Sequence, residues 1–511
     1  MAAPESAADT SSSQYFRTDH LKTNLGGRAA RGGAVAITTQ GLKFVITLVA
    51  TSIIARLLTP QDYGLISMVA VVTGVVSTYK DLGLSAATIQ RAEISEEQIS
   101  TLFWVNVLLS LGVTLFTIAI APLIAWFYNE PRLTRITFFT AFGFLISGLA
   151  VQHEALLRRQ MRYFSLASIG LFSLIVGYVV GIYMAWKGYS YFALVGSQLA
   201  LGLTGTLITW GVCRWVPGLP KRDTGVRSML RFGSNLTGFA TINYFARNGD
   251  NLLIGKFWGP QQLGLYSRAY QLMMLPIDQV NEPITTVAVP ALSRLIDSPE
   301  DYRRAYLRML EKVAFLTMPA VVIMIATADW IVAIVLGPQW RTVGTLLVIL
   351  GVAGLIQPIS NTAGWLFISQ GRTKEMFRLS MIGGPLTIAS IIIGLPWGAT
   401  GVATSYTAGQ LVIMNILYWF VGRRGPVRTK DFYRTIAPFG AASICALSAC
   451  FVFRHWHHPL NAVVGIMLCT IITLPTTIFA LALIPAGRGA LRDAVRSVRL
   501  LARPKEESSK S

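Results

Sequence analysis

From about residue 33 onward the chain is a succession of apolar runs of roughly 20 residues, long enough for a helix to cross the hydrocarbon core of a bilayer. The runs are continuous rather than alternating, which excludes tilted barrel strands as the main element. They lie near 33–56, 64–79, 101–127, 136–153, 164–186 and 190–212, then near 232–254, 265–292, 313–336, 343–368, 379–397 and 400–421. A last pair lies near 435–453 and 461–484. Only 13% of the residues are charged, against about a quarter in soluble domains. The pattern predicts an all-α polytopic membrane protein of about 14 transmembrane helices, grouped as six, six and two.

The grouping follows from an internal repeat. Ile54-Ala-Arg-Leu-Leu-Thr-Pro-Gln-Asp-Tyr-Gly-Leu65 has an ungapped echo 200 positions later, Ile254-Gly-Lys-Phe-Trp-Gly-Pro-Gln-Gln-Leu-Gly-Leu265. Ile54 falls on Ile254, Pro60 on Pro260, Gln61 on Gln261, Gly64 on Gly264, Leu65 on Leu265 and Ser67 on Ser267, while Arg56 falls on Lys256. Self-similarity at a fixed period has to be read before the fold. Six spans per copy is an even number, so both copies enter the membrane in the same direction. A parallel repeat of this kind predicts two six-helix lobes related by an axis along the membrane normal, with a cavity at their interface. The expected division is a disordered tail over 1–31, an N-lobe over 32–213 and an inter-lobe linker over 214–227. A C-lobe over 228–421, a helix pair over 422–485 and a basic tail over 486–511 complete it.

The formal charge of +20 suggests nucleic acid until its location is considered. One side of the membrane receives Arg158, Arg159 and Arg162, then Arg214, Lys221, Arg222 and Arg227, then Arg372, Lys374 and Arg378. The same side receives Arg423, Arg424, Arg428 and Lys430, and the tail with Arg488, Arg492, Arg496, Arg499 and Arg503. The asymmetry puts both termini in the cytoplasm, with no nucleic-acid partner. No signal peptide is evident in the polar, Ala/Ser/Thr-rich start. Cys213, Cys445, Cys450 and Cys469 lie in or beside apolar spans without ligand spacing, so neither disulfides nor zinc are expected. The loop histidines His455, His457 and His458 read more readily as a solvated loop than as a metal site. No cofactor is expected. Two stretches, 298–312 and 490–502, look amphipathic and interfacial.

Ionisable groups inside spans are more informative, because a charge at the bilayer centre costs about 2.5–3.5 kcal/mol on insertion scales. Lys43, Thr47 and Thr51 recur every four residues and share a helix face, which Thr39 extends. Shifted by 200, that face reads Asn243, Arg247 and Asn251. Polarity is kept while identity changes, the pattern expected of two cavity walls. Lys43 is equally placed to snorkel from its helix start, and Arg247 to pair with Asp250. Asp278 and Glu282 lie one turn apart between Pro276 and Pro283, which predict a broken or kinked helix whose freed backbone groups need water or protein partners. Those two carboxylates, with Asp250, are either coupling sites or neutralising partners of Arg247.

Ala55-Arg-Leu-Leu-Thr-Pro-Gln-Asp-Tyr-Gly-Leu65, followed by Asp81-Leu-Gly-Leu-Ser-Ala-Ala-Thr-Ile-Gln-Arg91, resembles the N-terminal signature of Wzx-type polysaccharide-export flippases. These belong to the multidrug/oligosaccharidyl-lipid/polysaccharide exporter superfamily. Val287-Ala-Val-Pro-Ala-Leu-Ser-Arg294 and the loops Arg158-Arg-Gln-Met-Arg-Tyr-Phe164 and Gly371-Arg-Thr-Lys-Glu-Met-Phe377 fit the same family. The resemblance implies a non-enzymatic, monomeric, alternating-access transporter in a bacterial inner membrane. Its substrate would be an undecaprenyl-pyrophosphate-linked oligosaccharide destined for exopolysaccharide or lipopolysaccharide. Expected partners are that lipid-linked substrate, membrane lipids, and the glycan polymerase and glycosyltransferases of the pathway. A diphosphate crossing a low-dielectric slab needs cations or amides to offset its desolvation, which makes Lys43 and Arg247 the candidates. Two other readings remain. A cation-coupled drug exporter of the superfamily typically has twelve helices and an acidic first-lobe cavity, where this chain offers Lys43. A glycan polymerase or ligase would need a sizeable periplasmic loop.

Overall fold

A computed structural model describes residues 25–77, 84–90, 94–221, 226–457 and 461–502, with side chains left undescribed at 25–34, 36–37, 86–87, 90, 226–243, 245–246 and 494–502. Most of the expected N-terminal tail and the end of the basic tail lie outside the described residues. The described chain is helical apart from its connections. In order the helices are α1 (Leu25–Leu57), α2 (Pro60–Ser77), α3 (Leu84–Gln90), α4 (Glu96–Tyr128), α5 (Arg132–Gly148), α6 (Val151–Arg159), α7 (Tyr163–Trp186) and α8 (Phe192–Cys213). Then come α9 (Val226–Ser293), α10 (Pro299–Ala326), α11 (Ala328–Val335), α12 (Arg341–Ser369), α13 (Thr373–Gly394), α14 (Gly398–Gly422), α15 (Thr429–Trp456), α16 (Ala462–Leu483) and α17 (Pro485–Ala502). The backbone leaves helical geometry within α9 at Gly259 (φ 78°, ψ −178°), so α9 is two arms meeting at the second copy's Gly-Pro-Gln turn.

Each of the fourteen expected runs falls on helix. Ten stretches among the described residues are long and apolar enough to cross a membrane, and one of them, Thr373–Gly422, holds both α13 and α14. The remaining expected spans are α2 and the two arms of α9. Of the break or kink expected between Pro276 and Pro283, the break does not occur; the departure from helical geometry lies at Gly259. A glycine at that positive φ ends one arm without strain, and Pro260 starts the next at a first-turn position where its missing N–H costs nothing.

By contact the chain divides into two compact units, Met1–Gly264 and Leu265–Ser511. In the first, α4 pairs with α5, α7 with α8, and α1 lies along α7. Small residues set the α7–α8 distance: Gly177 and Gly181 face Ser197 and Leu201, where side chains at the glycines would collide. Ser95 starts α4 with a reciprocal capping box, its Oγ accepting from Gln98 N at 3.2 Å while Ser95 N donates to Gln98 Oε1 at 3.1 Å. Residues 214–221, the front of the expected linker, are strapped to this unit. Trp215 is fully buried, Trp104 Nε1 donates to the Gly218 carbonyl at 2.9 Å, Gly218 N donates to Ser100 Oγ at 3.0 Å, and Lys221 pairs with Glu97. His153 holds the same strap, with Nε2 3.1 Å from the Trp215 carbonyl and its ring stacked on Trp210.

In the second unit α10 packs against α12 and α15, α12 packs against α14, and α15 pairs with α16. Residues 298–312, expected to lie at the interface, form the start of α10. Tyr302 and Tyr306, one turn apart, are fully buried and share hydroxyl hydrogen bonds with Ser369 (2.6 Å) and Thr362 (2.8 Å). The intervening arginines face outward to carboxylates: Arg303 Nε donates to Asp431 at 2.9 Å and Arg304 pairs with Asp301 at 2.7 Å.

The repeat is also written in the backbone. Four of the five left-handed residues described in the first copy, Asn129, Met161, Gly188 and Arg214 but not Ser190, have counterparts at Gly337, Gly371, Gly398 and Gly425, each ending the corresponding helix or its connection. Gln160 and Gln370 are the matching C-caps, and Arg162 and Arg372 the matching N-caps. Both arginines reach a carbonyl near the end of the next-but-one connected helix, Arg162 to Val212 at 3.5 Å and Arg372 to Arg424 at 2.6 Å. Where the second copy uses glycine, Met161 carries a Cβ in the left-handed region, which costs about 1–2 kcal/mol. Met161→Gly is therefore expected to raise stability by about 1 kcal/mol, read as a higher midpoint of thermal unfolding in detergent; an unchanged or lower midpoint would remove the strain argument.

Candidate functional site

The matched turns that reveal the repeat also meet. All of this contact lies inside the unit Met1–Gly264. A Cβ built on Gly64 would overlap the Pro260 carbonyl, and one built on Gly264 would overlap the Pro60 carbonyl. The contact is reciprocal, backbone to backbone, and no side chain at either position could rotate out of it. Thr59 and Asp62 fix the first turn: Thr59 N and Oγ1 donate to Asp62 Oδ2 at 2.9 and 2.7 Å, Asp62 N donates back to Thr59 Oγ1 at 3.3 Å, and Ser190 Oγ donates to Asp62 Oδ1. The second turn is held by Lys256, whose ammonium donates to the Phe127 carbonyl and lies 5.0 Å from that ring's centroid. Phe127 is in the last turn of α4, where unpaired carbonyls favour a cation. Gly255 allows this approach, since a Cβ there would meet the Tyr128 ring at 2.9 Å and Met68 at 3.3 Å.

One helix-length inward lie the polar faces. On α1 the exposed side chains Leu42, Val45, Val49 and Ile53 form an apolar lipid-facing stripe. Lys43, Thr47 and Thr51 are half-buried on the other side. Lys43 lies over Gly170 of α7, its Nζ occupying space that a Cβ at 170 would approach to 2.7 Å. The glycine is what lets the ammonium lie against the α7 backbone.

In the first arm of α9, Tyr244 donates to the Ala70 carbonyl of α2 at 3.0 Å, and its hydroxyl covers Gly74. Asn251 and Gly255, two and three turns on, share that packed side. Asn251 is half-buried and its Oδ1 has no hydrogen-bond partner among the described residues. Asp250 is buried and accepts from Asn251 N at 2.7 Å. Arg247 is exposed. The Asn243 side chain lies outside the described residues. The structure thus sets Lys43 against α7 and the Tyr244–Gly255 side of the arm against α2 and α4, while Arg247 stays in the open.

Asp278 and Glu282 belong to the second unit, both exposed. Of the loop histidines, His457 stacks on Phe453 with ring centroids 5.3 Å apart, His455 lines a cavity with Arg454, and His458 is outside the described residues. Arg454 itself forks Asp329 at 2.9 and 2.6 Å. Near the first turn, Glu130 accepts from Arg132 at 2.8 Å through both oxygens, which holds its carboxyl below the ordinary value. The contacts of Asp62 and Lys256 were not read from sequence. The Thr59-x-x-Asp62 spacing is a capping signal that could have located the first; the second depends on a contact 129 residues away.

Residues 53–345 match the model of a family described as "Polysaccharide biosynthesis protein". The lipopolysaccharide biosynthesis protein WzxC of Escherichia coli (strain K12) is 28% identical over 384 residues, 73% of this chain and 76% of that protein. The teichuronic acid biosynthesis protein TuaB of Bacillus subtilis (strain 168) is 28% identical over 301 residues, 58% of this chain; the match spans 62% of TuaB's own length. Among solved structures, lipid II flippase MurJ in an inward closed conformation aligns with a TM-score of 0.70 at 14% identity, covering 87% of this chain and 97% of that one. At that identity the likeness is one of fold.

Proposed function

This chain belongs to the polysaccharide biosynthesis protein family, and from that premise we propose that it is a flippase carrying a polyprenyl-diphosphate-linked oligosaccharide repeat unit across a bacterial inner membrane. The observation that carries the proposal is the family match over 53–345 on a chain with ten stretches of membrane-length apolar helix among its described residues. Relatives named for lipopolysaccharide and teichuronic acid biosynthesis support a cell-surface glycan as the end product. The parallel repeat supports alternating access, with the two copies as the moving lobes, divided as the sequence suggests, and a polar path at their interface.

In this reading both termini are cytoplasmic, as the arginine-rich loops require. Lys43 and Arg247 meet the diphosphate, with Thr47, Thr51, Asn243 and Asn251 as hydrogen-bonding neighbours. Asp250, Asp278 and Glu282 are the carboxylates available for ion coupling. The chain acts as a monomer, beside the polymerase and glycosyltransferases that make and consume its cargo. Deleting the gene is expected to abolish one surface glycan and to accumulate its lipid-linked repeat unit on the cytoplasmic leaflet, measured by lipid extraction and glycan staining. Normal glycan with no accumulated precursor, in a strain lacking a second homologue, would overturn the proposal.

A further inference from the structure

A cationic pocket in the second unit lies away from every residue assigned above. Its cavity, about 190 Å³, is lined by Glu375, Arg378, Phe420, Arg423 and Arg424. The start of α13 supplies Glu375 and Arg378, and the end of α14 supplies Phe420 with the two arginines that follow it. Three guanidiniums therefore face one carboxylate. That carboxylate is already engaged, accepting from Arg372 at 2.7 Å and lying 3.7 Å from Arg424. Arg372 also donates to the Arg424 carbonyl at 2.6 Å and to Gln370 Oε1 at 3.1 Å. Glu375 is thus held in a fixed lattice, and the positive charge of Arg378 and Arg423 is surplus to it.

The surroundings define the level of the pocket. Trp419 and Phe377 are 54% and 42% exposed on membrane-length helices, and the Arg423 guanidinium lies 4.4 Å from the Trp419 ring centroid. An exposed tryptophan beside an arginine at a span end marks the headgroup layer. The first copy shares the scaffold but not the charge. Its loop has the same glutamine C-cap, left-handed residue and arginine N-cap. Yet Ser168 stands 210 positions before Arg378, and Val212 and Cys213 stand 211 before Arg423 and Arg424. Duplication accounts for the loop; it does not account for three arginines around a hollow.

We propose that this pocket binds the phosphate of a membrane-lipid headgroup. Paired guanidiniums suit a phosphate because each presents two parallel N–H donors to two oxygens, and basic pockets between transmembrane helices are suited to anionic headgroups. The inference requires a membrane protein but does not depend on the proposed cargo, and its test involves no transport.

The full chain is reconstituted in phosphatidylcholine nanodiscs and titrated with short-chain phosphatidylglycerol, with a polyprenyl diphosphate, or with inorganic phosphate, following the bound species by native mass spectrometry. Wild type is expected to bind one of the two lipids, and Arg378→Gln with Arg423→Gln to weaken that binding at least tenfold. The Arg378→Lys with Arg423→Lys pair should fall between, since it keeps charge and loses the fork. Both arginines are exposed, so the variants should unfold at the wild-type temperature in phosphatidylcholine alone. Preference for phosphatidylglycerol assigns the pocket to bulk anionic lipid; preference for the polyprenyl diphosphate assigns it to the carried lipid. Undiminished lipid binding in the glutamine pair, or inorganic phosphate binding as well as either lipid, would overturn the proposal.

Discussion

Gly64→Leu is expected to abolish surface-glycan export and to cut the amount of folded protein in the membrane by at least tenfold, and Gly264→Leu to do the same. At both positions the new side chain would meet the backbone carbonyl of a proline from the other copy's turn. A flexible side chain can yield to an added methylene, typically at about 1–3 kcal/mol. A carbonyl fixed between a proline ring and the first turn of a helix cannot, so the two turns must separate. The contact is reciprocal, which makes the two substitutions equivalent. Gly112→Leu is the control, since a Cβ at 112 has no atom within 4 Å. It should leave both protein level and export near wild type. The readouts are immunoblotting of membranes and complementation of a deletion strain. Wild-type export by either turn variant would show that the turns part readily and that the close contact is incidental.

That prediction also shows what the sequence made legible. The helical class, the number of spans and the duplication all follow from run length and from the Pro-Gln-x-x-Gly-Leu echo. Hydrophobic length is a local property, and duplicated punctuation survives even where side chains diverge. The reason for the matched glycines was not legible, because Gly64 and Pro260 are 196 positions apart and nothing local reveals that one covers the other. Residues 298–312 were legible as an amphipathic stretch but not in their contacts. Tyr302 and Tyr306 recur at helical spacing, and the residues that cover them, Ser369 and Thr362, lie far away in the sequence. The helix runs unbroken through the Pro276–Pro283 pair, while a single glycine breaks it 17 residues earlier. The candidate site was legible as polarity on two helix faces. It was not legible as contacts, since Lys43 depends on Gly170 and Asn251 lies on the side of its helix that Tyr244 and Gly255 pack.

The dependence of Lys43 on Gly170 supplies the sharpest test of the diphosphate path. Lys43→Ala and Arg247→Ala are each expected to lower export at least tenfold while protein level stays within about twofold of wild type. A charge-assisted contact to phosphate is worth about 1.5–3 kcal/mol, or roughly one to two powers of ten in the rate that it supports. Lys43 is half-buried beside helix backbone rather than paired with a carboxylate in any contact described, so its removal leaves no uncompensated partner and the fold should persist. Alanine at 43 alone would not separate a substrate contact from a snorkelling anchor. Gly170→Ala does, because its methyl group would displace the ammonium from the α7 backbone while leaving the charge in the molecule. The colliding atom is the end of a flexible side chain, so the substitution costs little in stability. An anchor that merely reaches for headgroups tolerates the shift. A cation positioned for a diphosphate does not, and Gly170→Ala should then lose export several-fold with unchanged thermal unfolding. Full export by Lys43→Ala, Arg247→Ala and Gly170→Ala together would place the diphosphate path on other residues.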